Sequence, residues 1–337
     1  MSRIGSIFHQ LTSVVRTAQP QVTLDFGSQM TRVTVNGEVV WNQATALAWN
    51  EEMEAVVAVG DQARQLRGKT PARVVVIQPI QEGVVADLEM MTLFLEAVFN
   101  QAFHHQGVIN VIRPRCKVAV PAGVTPVELN QLKRILTNLG CQVTMVKKIA
   151  ALSNLPRLNR LKNSHMVLDL GAQTVELGLL TGQEIIVQKT LHSVKGDDFT
   201  RVIMDEVKQA YGCEIGFETA QKIQEQIGVV SDQAEAKLGK MTVRGKNTKT
   251  GTMMTIRVEA AVFALKFYEL AKKLSSEISG VLIMSPAELV TQALEQGIYL
   301  TGGVAQLAGL AAMLENELQT QVLVASSPDL DVVKSMI

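Results

Sequence analysis

Little in this chain points to a covalent or metal scaffold. Its 337 residues contain three cysteines, Cys116, Cys141 and Cys213, an odd number without a C-x-x-C pair. That argues against a disulfide framework and fits a reducing cytosol. Of five histidines, His104 and His105 are adjacent. Neighbours in sequence point apart on most backbones, so they make a poor metal pair. Formal net charge is zero, which argues against a general nucleic-acid binder. No apolar run approaches the roughly 18 residues of a membrane span. The N-terminal apolar stripe is broken by polar residues throughout, unlike a cleavable signal. What remains is an ordinary globular composition, 47% apolar and 19% charged, long enough for two core-bearing domains.

The first segment, MSRIGSIFHQLTSVVRT, places Ile4, Ile7, Phe8, Leu11, Val14 and Val15 at the spacing of one helical face. Its other positions carry Arg3, His9 and Arg16 and no acid, and Pro20 ends it. Two readings fit: a basic amphipathic helix lying in an anionic bilayer surface, or a helix docked on its own domain. One such helix binds membrane weakly, so stable attachment needs many copies on a polymer.

The chain also repeats itself. VTLDFGSQMTRVTV, from Val22, lies over MVLDLGAQTVELGL, from Met166, with Asp25 on Asp169 and Gly27 on Gly171, an offset of 144 residues. Each copy reads as strand, tight turn, strand. A repeat at about half the chain length points to two domains of one architecture. Glycine lets such a turn bend sharply and bring N–H groups toward phosphate oxygens. An aspartate at the strand end suits a hydrated Mg²⁺ beside them, so Asp25 and Asp169 are candidate holders of the ion through water.

Two further stretches join the pair. GIYLTGGVAQLAGLAAMLENEL, from Gly297, reads strand, Gly302-Gly303, helix, a turn at which a helix N-terminus favours negative charge. KVAVPAGVTPVELNQLKRILTNLG reads strand, Pro121 and Gly123, then a helix with an apolar face of Val127, Leu132, Ile135, Leu136 and Leu139, capped by Gly140. Strands interleaved with helices mean an α/β architecture.

Two D-x-G hairpins and a late T-G-G turn resemble the superfamily of actins, heat-shock chaperones and sugar kinases. Within it the chain resembles the MreB family of bacterial actins from about residue 22 to 334. The stretches that carry this are VAVGDQARQLRGKTPARVVVIQPIQEGVVADLE, VAVPAGVT, VKGDDF, IGFETAQKIQEQIG and SPAELVTQALEQGIYLTGGVAQLAGL. The resemblance implies an actin-like fold: two lobes, each a mixed sheet flanked by helices, with four subdomains and a nucleotide cleft between the lobes. It implies an amphipathic helix over 1–19, lobe I over 20–162 with an outer subdomain near 50–88, lobe II over 163–327 with an outer subdomain near 196–260, and a C-terminal segment, 328–337, returning to lobe I. The cofactor would be ATP or GTP with Mg²⁺. By position, Asp25, Gly27, Ser28, Gln29, Met30 and Thr31 would form the first phosphate loop, and Asp169, Gly171, Ala172, Gln173 and Thr174 the second. Gly196, Asp197, Glu218, Lys222, Gly302, Gly303 and Val304 would complete the pocket. The family polymerises head to tail, often as antiparallel pairs, on the cytoplasmic face of the inner membrane, with the cell-elongation machinery and in some cells a paralogous actin as partners. FNQAFHHQGVINVIRP aligns with a membrane-inserting loop, so Val108, Ile109, Val111 and Ile112 would join the N-terminal face at the bilayer.

The sequence also departs from that pattern. Where the family carries a catalytic glutamate that positions the attacking water, this chain has MVKKIAALSNLP, with Lys147 and Lys148. A charged lysine cannot accept a proton from water, though it could bind phosphate. Losing the water-orienting group costs roughly 10²–10⁴ in rate. Ala172-Gln173 replace Gly-Gly, Met30 an asparagine, Lys222 an acid and Val304 a glycine. The expectation is a filament protein that organises cell shape and lateral wall synthesis, binds ATP and hydrolyses it slowly or not at all. The alternatives are an active ATPase with a non-standard catalytic residue and a non-polymerising membrane adaptor. A basic hairpin, VRGKNTKTGTMMTIRVE, is either a solvated edge or a filament contact.

Overall fold

In the computed structural model, residues 19–70, 73–104, 113–232 and 239–337 are described. The repeat read from the sequence is a repeat of whole sheets. The first runs Glu38–Ala44, Met30–Val35, Gln21–Phe26, Arg115–Val120, Gln142–Lys147, and the second Glu184–Leu191, Val175–Thr181, Ser164–Leu170, Ile298–Thr301, Val322–Val324. In both, the first three strands pair antiparallel and the last three parallel. Alternating apolar residues on strands covered by helices produce this, and a strand covered on both faces is buried throughout. Ser164–Leu170 is buried along its whole length.

Each sheet has its own core. Phe94, Leu95, Val98 and Leu136 pack under the first; Phe199, Phe263, Phe267 and Leu274 under the second. A third cluster joins the two sheets. Ile149, Leu152 and Ala119 meet Val167, Leu180 and Tyr299, with Val332 of the C-terminal helix Asp331–Ser335 and Met336, which follows it, closing it. That helix is tied to the first sheet, where Lys117 Nζ donates to the Met336 carbonyl (2.7 Å) and Thr23 Oγ1 to that of Val333 (3.1 Å). Small sheets extend each lobe: Ala55–Val59, Leu47–Asn50 and Val74–Ile77 on one, and Cys213–Glu214, Lys240–Asn247 and Met253–Glu259 on the other. The basic stretch is thus an antiparallel hairpin.

Two local readings need correction. The helix Pro126–Asn138 is capped by Thr125 and Glu128 as a reciprocal box and buries Leu132, Ile135 and Leu136, but Val127 is exposed, because its first-turn position lies outside the covered stripe. After Gly302 no long helix begins. A short 3₁₀ turn, Gly303–Gln306, comes first, and the helix Leu310–Leu318 starts beyond Gly309, whose left-handed backbone interrupts the run. The membrane candidates Ile4, Ile7, Phe8, Leu11, Val108, Ile109, Val111 and Ile112 lie outside the described residues. Among the described residues no helix is long and apolar enough to cross a membrane.

Candidate functional site

The two hairpin turns are built alike. Gly27 N–H donates to the Met30 carbonyl (3.0 Å) and Gly171 N–H to that of Thr174 (2.9 Å). A Cβ on either glycine would lie 2.8 Å from that same carbonyl oxygen, so both turns exclude a side chain there. The register continues the likeness: Asp25 pairs with Arg32 and Asp169 with Glu176. One hairpin therefore sets an acid opposite a base, and the other sets two acids side by side, which is unfavourable unless a cation faces them.

Lys148 supplies that cation. It opens the short helix Lys148–Leu152, directly after the edge strand of the first sheet. Gly178, in the strand facing it, lets the helix approach, since a Cβ there would sit on Ile149 Cγ2. The Lys148 ammonium is 3.1 Å from Asp25 Oδ1, an ion-pair contact without hydrogen-bond alignment, and its side chain is 8% exposed. Arg32 Nη1 approaches Asp25 Oδ2 at 3.7 Å. Burial works against the Lys148 charge, but Asp25, Asp169 and Glu176 outweigh it and hold the ammonium above the ordinary lysine range. Burial pushes Asp169 upward against the pull of Lys148. It pushes Glu176 up to about 7, although the Ala122 N–H donates to that carboxyl.

A second joint lies beside this cluster. Gln29 and Gln173, equivalent in the repeat, both donate to the buried Asp197 carboxylate, at 3.4 Å to Oδ1 and 2.9 Å to Oδ2. Asp197 sits at the start of the helix Gly196–Tyr211, whose first N–H groups are taken up by the second turn, Gly196 on the Gly171 carbonyl (3.1 Å) and Asp197 on that of Ala172 (2.8 Å). Gln173 also accepts from the Glu82 N–H at 2.8 Å, and Glu82 pairs with Lys195 at 2.7 Å. Glu82-Gly83 is the two-residue turn of the Ile80–Gln81/Val84–Val85 hairpin, both in positive φ, by which the first lobe touches the second. Farther out, Arg67 Nη1 (2.9 Å) and Arg64 Nε (3.7 Å) close on Glu218.

The remaining candidates divide. Ser28 is buried, its Oγ accepting from the Gly83 N–H (3.4 Å). Thr31 is fully buried, its hydroxyl paired with that of Thr45 (2.8 Å), which also donates to the Gly27 carbonyl, so it holds the turn rather than facing an open cleft. Met30 packs on the Ala44, Ala46, Ala48, Ala63 cluster. Gly302, at φ 89°, leaves no room for a Cβ, which would stand 2.6 Å from Asp169 Oδ1. Gly303 is open, Val304 is buried and packs close over Gly196, and Lys222 is exposed on the same helix as Glu218. Sequence reasoning missed Arg32, Glu176, Glu82, Arg64 and Arg67. For Glu176 a signal existed: an acid in the apolar strand TVELGLL needs a buried partner.

This donor set is poor for Mg²⁺ held through Asp25 and Asp169. Mg²⁺ wants free carboxylate and room for its waters, and here Asp25 already faces an ammonium and a guanidinium. A divalent ion at Asp25 would have to compete with the ammonium and the guanidinium that already close on that carboxylate. Among the described residues no group of three His, Cys, Asp or Glu side chains is arranged to hold a metal ion.

The family described as MreB/Mbl protein matches residues 19–337. The cell shape-determining protein Mbl of Bacillus cereus is 28% identical over 311 residues, covering 91% of each chain. The cell shape-determining protein MreB of Escherichia coli is 28% identical over 327 residues, 91% of this chain and 89% of that one. Among solved structures, MreB5 of Spiroplasma citri bound to AMPPNP superposes with a TM-score of 0.85 at 22% identity over 94% of both chains. The MamK double helical filament gives 0.75 at 15% identity over 94% of this chain and 97% of that one. The two-lobed architecture is thus an actin-like fold, and the chain belongs to the MreB/Mbl family.

Proposed function

We propose that this protein is an actin-like filament protein of the cell-shape apparatus that binds ATP between its lobes, turns it over slowly or not at all, and works on the cytoplasmic surface of the cell membrane. The observation that carries the reading is the pair of matched turns, Gly27–Met30 and Gly171–Thr174, meeting around Lys148, Gln29, Gln173 and Asp197. Turns that exclude side chains and border fixed cations suit phosphate oxygens. Ser28, Ala172 and Thr174 would line the phosphates; Gly302, Gly303, Glu218 and Lys222 would border the nucleoside. AMPPNP- and ADP-bound MreB5 and the MamK filament support nucleotide binding and self-association by analogy of fold.

Slow turnover follows from the residue at the water-orienting position. Phosphoryl transfer is mainly positioning and electrostatics. Lys148, held protonated by carboxylates, has no lone pair to offer an attacking water.

Membrane attachment has its own support. Gln19 Nε2 donates to the Arg113 carbonyl and the Arg115 N–H to that of Pro20 (2.9 Å), so the residues that follow the two candidate membrane segments are hydrogen-bonded neighbours. A head-to-tail contact does not close, so it would grow an open polymer that multiplies weak membrane contacts.

Sedimentation with and without ATP and anionic vesicles, combined with phosphate release, tests the reading. We expect vesicle-dependent polymer and phosphate release no faster than from a Lys148→Glu variant. Brisk wild-type release makes the protein an ATPase with another base. A monomer under every condition makes it an adaptor.

A further inference from the structure

We infer that the cleft holds nucleotide phosphates without a divalent cation, the Lys148 ammonium and Arg32 guanidinium supplying the counter-charge; this rests on the nucleotide reading above. The position of Lys148 is built. Ile149 is buried against Gly178 and fixes the helix, so the ammonium stays beside Asp25, withdrawn from solvent, rather than moving as a surface lysine does. Of the two carboxylates that would hold the water shell of a metal, Asp25 is already engaged, facing Lys148 at 3.1 Å and Arg32 at 3.7 Å.

Burial disfavours the charged forms of Asp169 and Glu176, and Lys148 and Arg32 bring two fixed positive charges to Asp25. A polyphosphate entering between the turns needs cationic partners, and these two need no ion to be recruited with it. Both cations close on Asp25, so a divalent ion held through that carboxylate would have to displace them. Arg32 adds a second observation: its buried Nε has no hydrogen-bond partner among the described residues, an unused donor beside the first turn.

The test is calorimetric titration of AMPPNP and ADP into the full chain, once in excess Mg²⁺ and once in EDTA. The expected result is dissociation constants that agree within about threefold. Mn²⁺ offered to the nucleotide-loaded protein is expected to give no protein-bound paramagnetic resonance signal. Affinity that falls more than about tenfold in EDTA, or a bound Mn²⁺ signal, overturns the inference and leaves the nucleotide reading standing. Binding in neither buffer removes both. Lys148→Met is expected to lose more than about tenfold in EDTA and to regain part of it with Mg²⁺; unchanged affinity in EDTA overturns the role of Lys148. Should that variant fail to fold, the wild-type titrations decide alone.

Discussion

The ammonium of Lys148, which follows the edge strand of the first sheet, lies 3.1 Å from Oδ1 of Asp25, two strands in from that edge, at the point where the hairpins of the two lobes converge. The Lys148 side chain is therefore not solvated but part of a buried charge cluster. Removing one partner of such a cluster leaves the other uncompensated. Lys148→Met is expected to destabilise the protein by about 3–5 kcal/mol, read from urea denaturation. The loss should be greater above neutral pH, where Glu176 can no longer shed its charge by binding a proton.

Glu176 predicts a pH dependence of its own. Burial pushes its carboxyl from the ordinary 4.5 up to about 7, with the Ala122 N–H, Lys148 and Lys147 pulling down and Asp169 pushing up. The folded chain then keeps a proton that the unfolded chain releases between those values. Stability is fully present below the unfolded pKa and is lost as pH rises through the folded one, by about 3 kcal/mol in all. Glu176→Gln, a near-isosteric neutral amide, is expected to flatten the denaturation midpoint across that window and to be more stable than wild type above it. Equal pH profiles in the two proteins would rule this out.

Gly178→Ala tests how Lys148 is placed. The added methyl meets Ile149 Cγ2 inside the third core cluster, and overpacking of this kind costs roughly 1–3 kcal/mol. The helix must shift away from the second sheet and carry the ammonium with it. The expected outcome is a lower melting temperature together with a changed pH profile of stability. A lower melting temperature with an unchanged profile would show that Lys148 does not depend on this contact.

These effects also mark how far the sequence could be read. The equivalence of Asp25 and Asp169 was legible because a turn that excludes a side chain demands glycine, and the demand appears twice in register. The two sheets followed from it. The anomaly at Lys148 was legible as a residue type but not as an interaction. Its partner comes from another strand and its position from Gly178, both set by tertiary packing that no local pattern records. Arg64, Arg67 and Glu82 read as solvated charges until the lobes are assembled. The helix expected directly after Gly302 starts only beyond Gly309, whose left-handed backbone breaks the run.

The outer contact between the lobes gives the last prediction. Arg67 and Glu218 meet at 2.9 Å with Arg64 at 3.7 Å, all partly exposed, so the ion pairs themselves contribute little to global stability. Their consequence is local, because they join the helix Asp61–Leu66 on one lobe to Phe217–Ile227 on the other. Arg67→Ala is expected to cost at most about 1 kcal/mol in denaturant. Amide hydrogen exchange should rise in those two helices and stay unchanged in the sheet cores, since local opening follows the loss of contacts between lobes rather than of the core. Uniform exchange across the chain would mean instead that the outer subdomains are held by their own sheets, and that the cleft gains nothing from this bridge.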